Sequence, residues 1–153
     1  VIRTGTAHEY EARKRSARNV VRPAPTLEDL TYVAGFWYLA TPYSKWANGI
    51  DDAAFVAAEV AAKIIRRGVP VYSPIAHTHP IAVVGNIDPL DHAIWMPMDK
   101  PIFDAAVGLI VAMLEGWRES YGIGKEIAWC EAAGKPIFML DPKTMELSPH
   151  VAS

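Results

Sequence analysis

One cysteine, Cys130, stands alone in the chain, which excludes an intrachain disulfide and an all-cysteine zinc site. No apolar run approaches the length of a membrane span. The longest, Val107 to Leu114, has the length of a buried strand, so no membrane partner is expected. Neither sign of charge dominates: the formal net charge is -2, and nucleic acid is not the expected partner. A dinucleotide-binding fingerprint is missing too. Gly122 and Gly124 are followed by Ile127, Ala128 and Trp129, where a third glycine would be sought. The first residues are charged and lack an apolar h-region, so no signal peptide is expected and a reducing cytoplasm is the expected location. What is present is 51% hydrophobic residues in 153, enough for a single domain with a sizeable core.

Residues 1–31 differ in character from the remainder. They carry the basic cluster Arg13-Lys14-Arg15 with Arg18 and Arg22, then the break Pro23-Ala24-Pro25. They read as an N-terminal arm, and 32–153 as the domain proper. Apolar strands are predicted at Phe36 to Ala40, Val69 to Tyr72, Val107 to Leu114 and Pro136 to Leu140. Helices are predicted at Asp51 to Arg67, Asp91 to Asp104 and Ile123 to Ala133. The proline-rich segment Ser73 to about Leu90 reads as a long connection without regular structure. Strands alternating with helices imply a parallel sheet with right-handed crossovers, a flavodoxin-like three-layer α/β domain with the first and third strands adjacent at its centre. In such sheets ligands bind beyond the carboxyl ends of the strands. The segments 41–48, 73–91 and 115–126 follow the first three strands and should converge there.

The third of these is the most informative. Ser120-Tyr-Gly-Ile-Gly-Lys-Glu126 joins a buried strand to a helix, a good place for an anion because helix N-termini present free N–H groups. The turn also delivers Glu126 into the start of the helix, where the helix dipole favours the ionised acid. An ionised, positioned carboxylate is the nucleophile of covalent glycosyl transfer. A glutamate here also suits a simple capping role.

Tyr38-Leu39-Ala40-Thr41-Pro42-Tyr43, Asp99, Ser120-Tyr-Gly-Ile-Gly-x-Glu126 and Gly134-Lys135-Pro136 together resemble the nucleoside 2-deoxyribosyltransferase superfamily, over about Trp37 to Leu140. Ser73-Pro-Ile-Ala-His-Thr-His79 and Gly116-Trp117 are similar to a small bacterial and phage branch of it, related to deoxynucleoside 5′-monophosphate N-glycosidases. The resemblance implies cleavage or transfer at an N-glycosidic bond. Glu126 would be the nucleophile, Tyr38 its orienting tyrosine and Asp99 the residue acting on the departing base. It also implies that Ser120 contacts a 5′-phosphate. The chain departs from the superfamily in having Val107 where an aspartate is frequent, and Ser44-Lys45 with Asn48-Gly49 in place of a basic, glycine-containing loop.

Gly122 and Gly124 would present N–H groups to that phosphate, Lys45 would add charge, and Tyr43 and His77 would line the substrate site. Tyr43, Trp46, Trp95 and Trp117 are candidates to sandwich a base. His77, His79 and His92 with Asp88 and Asp91 form a competing constellation of the kind that binds metals. Three readings therefore stand. The first is a nucleoside or nucleotide N-glycosidase or deoxyribosyltransferase needing no metal and no cofactor. The others are a non-catalytic nucleotide-binding domain and a metal-dependent hydrolase built on the histidines. Five tryptophans and the apolar content exceed what one small sheet hides, so a homo-oligomer is expected.

Overall fold

The computed structural model describes residues 24–32 and 34–152. Most of the expected arm, residues 1–23, lies outside the described residues. The sheet has the order β2-β1-β3-β4-β5. Its strands are β1 (Trp37–Ala40), β2 (Val71–Tyr72), β3 (Gly108–Ala112), β4 (Ile137–Leu140) and β5 (Leu147–Pro149). The first four run parallel and β5 antiparallel. Four helices connect them: α1 (Ile50–Arg66), α2 (Pro74–Gly85), α3 (His92–Ala105) and α4 (Tyr121–Ala132). This is the flavodoxin-like arrangement, with β1 against β3 at the centre in the register Tyr38 to Leu109.

The two-residue period of the strands sorts the core into two layers. Trp37, Leu39, Ile110 and Leu140 pack on one face with Val60 and Ile64 of α1. Leu27 and Leu30, in a short 3-10 turn over Leu27–Tyr32, join the same cluster, and the Trp37 indole donates to the Leu30 carbonyl at 3.3 Å. Tyr38, Leu109, Val111 and Met139 take the other face, against Phe103 of α3 and Ile123 and Cys130 of α4. Cys130 is fully buried, and burial raises its thiol pKa, so it serves as a small apolar residue.

Helices α1 and α3 begin and end within one residue of the expected bounds. Asp51 and Asp52 occupy the first turn of α1, and Gly68, at φ 81°, turns the chain out beyond its C-terminus. Asp91 caps α3 by accepting from the Ala93 N–H at 2.9 Å, and Pro97 and Pro101 are accommodated inside it. At its far end the Lys135 ammonium donates to the carbonyls of Asp104 (2.6 Å) and Ala106 (2.7 Å), joining the α4–β4 turn to α3.

Two expectations need correction. The segment Ser73 to Leu90 is largely a helix. Ser73 accepts from the Ala76 N–H at 3.3 Å, Pro74 stands at the first helical position, and Asn86 closes the helix in the left-handed conformation at φ 50°. The prolines hid a helix whose end signals were sound; Pro80 sits inside it. The sheet also has a fifth strand. Asp141 Oδ1 accepts from the N–H groups of Lys143 (2.8 Å) and Thr144 (3.2 Å), and the resulting turn returns the chain antiparallel to β4. Among the described residues no helix is long and apolar enough to cross a membrane.

Candidate active site

The carboxyl ends of β1 and β3 open onto a cleft of about 80 Å³. Thr41, Tyr43 and Ser44 come from the β1–α1 loop, and Pro74, Ile75 and Thr78 from α2. Pro89, Leu90, His92, Trp95, Met96 and Asp99 come from the segment entering α3, and Ser120, Gly122, Ile123 and Glu126 from the start of α4. The three post-strand segments therefore do meet. A larger concavity of about 570 Å³ lies by the β2 edge, lined by Phe36, Ile65, Val69 and Ile102 among others. It is shallow and apolar and carries no carboxylate, histidine or cysteine, whereas the smaller one carries carboxylates and a histidine.

Ser120 is the N-cap of α4: its hydroxyl accepts from the Ile123 N–H at 3.4 Å, which leaves its own proton to donate into the cleft. The helix thus starts at Tyr121, two residues before the expected point. Gly122 and Gly124 belong to its first turns and not to a separate phosphate loop. The Gly124 N–H bonds to the Ser120 carbonyl at 3.1 Å, and Gly124 does not line the cleft. Glu126 stands beyond capping reach, one turn further on. The capping role is taken by Ser120.

Glu126 is half-buried and borders the cleft. The sequence suggested an ionised acid held by the helix terminus. The structure overturns this: burial, reinforced by the charge of Asp99, outweighs the helix and raises the Glu126 pKa to about 8. Asp99 is raised to about 6 by burial, with His77 opposing. With Asp99 near 6 and Glu126 near 8, the two acids pass through a singly protonated form between those values.

Tyr38 is fully buried beneath them. Burial, then the charges of Glu126 and Asp99, push its pKa far up, so it stays neutral. Its hydroxyl makes no hydrogen bond to another described residue, and Glu126 bears on it through charge. The hydroxyls of Thr41 and Tyr72 are likewise buried and unpaired. Each such group destabilises the fold by about 1–3 kcal/mol; of the three only Thr41 lines the cleft, where it favours a polar occupant. Tyr72 is the register partner of Tyr38, its ring 5.9 Å away, and burial with the Asp99 charge raises its pKa to about 12.

The remaining expected site residues divide. Tyr43 lines the cleft. His77 does not: it is exposed on α2, with its ring 5.6 Å from that of Tyr72, and bears on Asp99 through charge. Lys45 is exposed and outside the lining. Of the candidate base-stacking aromatics, Trp95 borders the cleft, its indole donating to the Asp88 carbonyl at 2.8 Å. Trp46 donates to Asp52 at 2.6 Å, and Trp117 lies under Arg118. Among the described residues no three histidine, cysteine or carboxylate side chains gather as a metal ion requires. His79 bonds to Tyr43 and Asp51, and His92 stacks on Tyr121 at 4.9 Å. Thr41 was not singled out, although its place directly after an apolar strand was a signal; Asp51 was read only as a helix start and His79 only as part of the histidine constellation, and nothing local signalled their meeting with Tyr43.

A family model described as Domain of unknown function (DUF1937) matches residues 35–142. That span starts just before β1 and ends just after β4, so it contains every cleft residue. No curated protein matches the sequence.

Proposed function

The chain belongs to this DUF1937 family, whose description assigns no chemistry, and we propose that it cleaves or transfers at the N-glycosidic bond of a nucleoside or its 5′-monophosphate. The observation that carries this reading is the pair Glu126 and Asp99: two carboxyl groups lining one cleft, their pKa values raised to about 8 and about 6, so that between those values the pair holds one proton. Breaking a glycosidic bond takes one carboxylate and one acid at once, and environments that push two pKa values apart supply them. The resemblance to nucleoside 2-deoxyribosyltransferases supports the division of labour. Glu126 attacks C1′ and Asp99 delivers a proton to the departing base. In the ligand-free cleft the proton resides mainly on Glu126. Positive charge developing at C1′ favours the Glu126 anion, and the proton passes to Asp99. Ser120 at the N-terminus of α4 suits a 5′-phosphate, and Leu90, Trp95 and Met96 offer apolar surface to a base. At about 80 Å³ the cleft is small against the roughly 300–1,000 Å³ typical of ligand pockets, so binding is expected to widen it.

The test is incubation with a panel of nucleosides and 5′-monophosphates, with and without a free acceptor base, watching for released or exchanged base. Release without acceptor marks a hydrolase, and exchange marks a transferase. Binding without either would sink the catalytic reading in favour of a nucleotide-binding domain.

The shared proton also fixes a pH profile. Below about 6 both acids are protonated and no nucleophile remains; above about 8 both are ionised and no acid remains. A bell in kcat/KM with limbs near these values is expected. A rate that rises monotonically from pH 5 to pH 9 would contradict the assignment.

The homo-oligomer belongs to the same proposal. Phe55 and Ile65 of α1, Val84 of α2 and Met98 of α3 are exposed on the single chain, with Val84 at 88%. Sedimentation at micromolar concentration should show a multiple of the chain mass, and a strict monomer would refute it.

A further inference from the structure

The β1–α1 loop and the helices α1 and α2 bring together three side chains that the glycosidic chemistry does not use. The Tyr43 hydroxyl lies 2.7 Å from His79 Nδ1, and His79 Nε2 lies 3.2 Å from Asp51 Oδ1. The His79 side chain is only 14% exposed, and its ring meets that of Tyr43 edge-on with centroids 5.9 Å apart. Asp51 is at the solvent end.

The order of the protons follows from what each group can do. An ionised Asp51 only accepts, so in a neutral imidazole the single ring proton of His79 belongs on Nε2. Nδ1 then carries a lone pair and accepts the Tyr43 O–H. The opposite tautomer would set a bare Nε2 against a carboxylate oxygen, lone pair against lone pair. Tyr43 keeps its proton, because burial and the charge of Asp51 raise its pKa to about 12. A phenol whose proton is turned toward His79 offers the cleft only lone pairs.

We propose that the Asp51–His79 pair fixes Tyr43 as a hydrogen-bond acceptor in the cleft wall, making it a specificity-determining residue for ligands that present an O–H or N–H there. Tyr43 belongs to a hydroxyl-bearing wall with Thr41, Ser44 and Thr78, whereas Pro89, Leu90 and Met96 are apolar. The first suits a pentose and the second a base, so the donor is a sugar hydroxyl, with a base amino group as the other source of the same chemistry. His79 acts through Tyr43 and is a positioning residue. The choice of ligand rests on the glycosidic reading; the proton order does not.

Two measurements test this. Nitrogen-15 NMR of the histidine rings should show His79 protonated on Nε2 with Nδ1 bare. Equilibrium binding of adenosine, 2′-deoxyadenosine, 3′-deoxyadenosine and inosine is then compared across variants in the Glu126→Gln background, which prevents turnover. With Tyr43 intact, removing one sugar hydroxyl should weaken binding about tenfold; in Tyr43→Phe the same removal should cost under about twofold. His79→Leu should behave like Tyr43→Phe. His79→Gln, whose amide oxygen accepts from Tyr43 while its NH₂ donates to Asp51, should restore the discrimination, which a merely structural role would not. If the Tyr43-dependent difference appears between adenosine and inosine instead, the donor is the base amino group. A proton on His79 Nδ1, or equal discrimination by Tyr43→Phe and the parent, overturns the proposal. If no compound binds, these purine nucleosides are not its ligands, base release from the wider nucleoside and 5′-monophosphate panel decides the glycosidic reading, and the His79 tautomer alone decides whether Tyr43 is an acceptor.

Discussion

Replacing Glu126 with glutamine is expected to abolish base release while making the protein more stable at alkaline pH. The amide cannot form the glycosyl–enzyme bond, and loss of a nucleophile removes several powers of ten in rate, roughly 4 kcal/mol or more of barrier lowering. The stability effect has the opposite sign and its own pH window. Glu126 ionises near 4.5 in the unfolded chain and at about 8 in the fold. Between those values the folded state holds a proton the unfolded state has released, so stability falls as pH rises from about 4.5 and the loss is complete above about 8. Full linkage over that interval, reduced because the carboxyl borders the cleft, amounts to roughly 2–4 kcal/mol. Glutamine has nothing to ionise and escapes it. In thermal melts the variant should exceed the wild type by about 5–10 °C at pH 9 and by little at pH 5. A variant that melts lower at pH 9 would show that Glu126 is not held neutral. A variant that still releases base would show that it is not the nucleophile.

Gly108→Ala is expected to be the most damaging small substitution in the chain, with no direct effect on the chemistry. A methyl on Gly108 would run into the Trp37 ring, lie 2.6 Å from the Pro136 carbonyl oxygen and 2.9 Å from Pro136 Cγ. Carbon and backbone oxygen at that distance repel. Neither neighbour has freedom to retreat: Trp37 is buried in β1, and the Pro136 carbonyl accepts the Leu109 N–H at 3.0 Å within the β3–β4 ladder. The glycine therefore permits the close approach of three adjacent segments at the start of the central strand. Overpacking of this kind costs about 3 kcal/mol or more, a fall in melting temperature on the order of 10 °C. Gly124→Ala is the control. Nothing lies within 4 Å of its Cβ, and a helical alanine should stabilise by about 0.5–1 kcal/mol. Equal melting temperatures for Gly108→Ala and wild type would refute the packing argument.

Local pattern carried much of this protein. The apolar runs around Leu39, Ile110 and Phe138, punctuated by helix starts at Asp51, Asp91 and Ser120, were enough to set a parallel α/β sheet and to direct three loops to one cleft. Burial on two sides and short crossovers leave few other ways to pair such strands. The helix from Pro74 was not legible because its prolines and unsegregated apolar residues erase the helical period, while its real signals, Ser73 and Asn86, are single residues. The state of Glu126 was misread for a different reason. Position in a helix is a local property, but a proton's preference depends on how much water the whole fold removes and on where Asp99 arrives from. The meeting of Tyr43 with His79, 36 residues away, is of the same kind. Sequence period determines which face a residue takes; only the packing of α2 on α1 and β1 decides which polar groups share that face, because their hydrogen bonds reach about 3 Å and no local rule extends across such a separation.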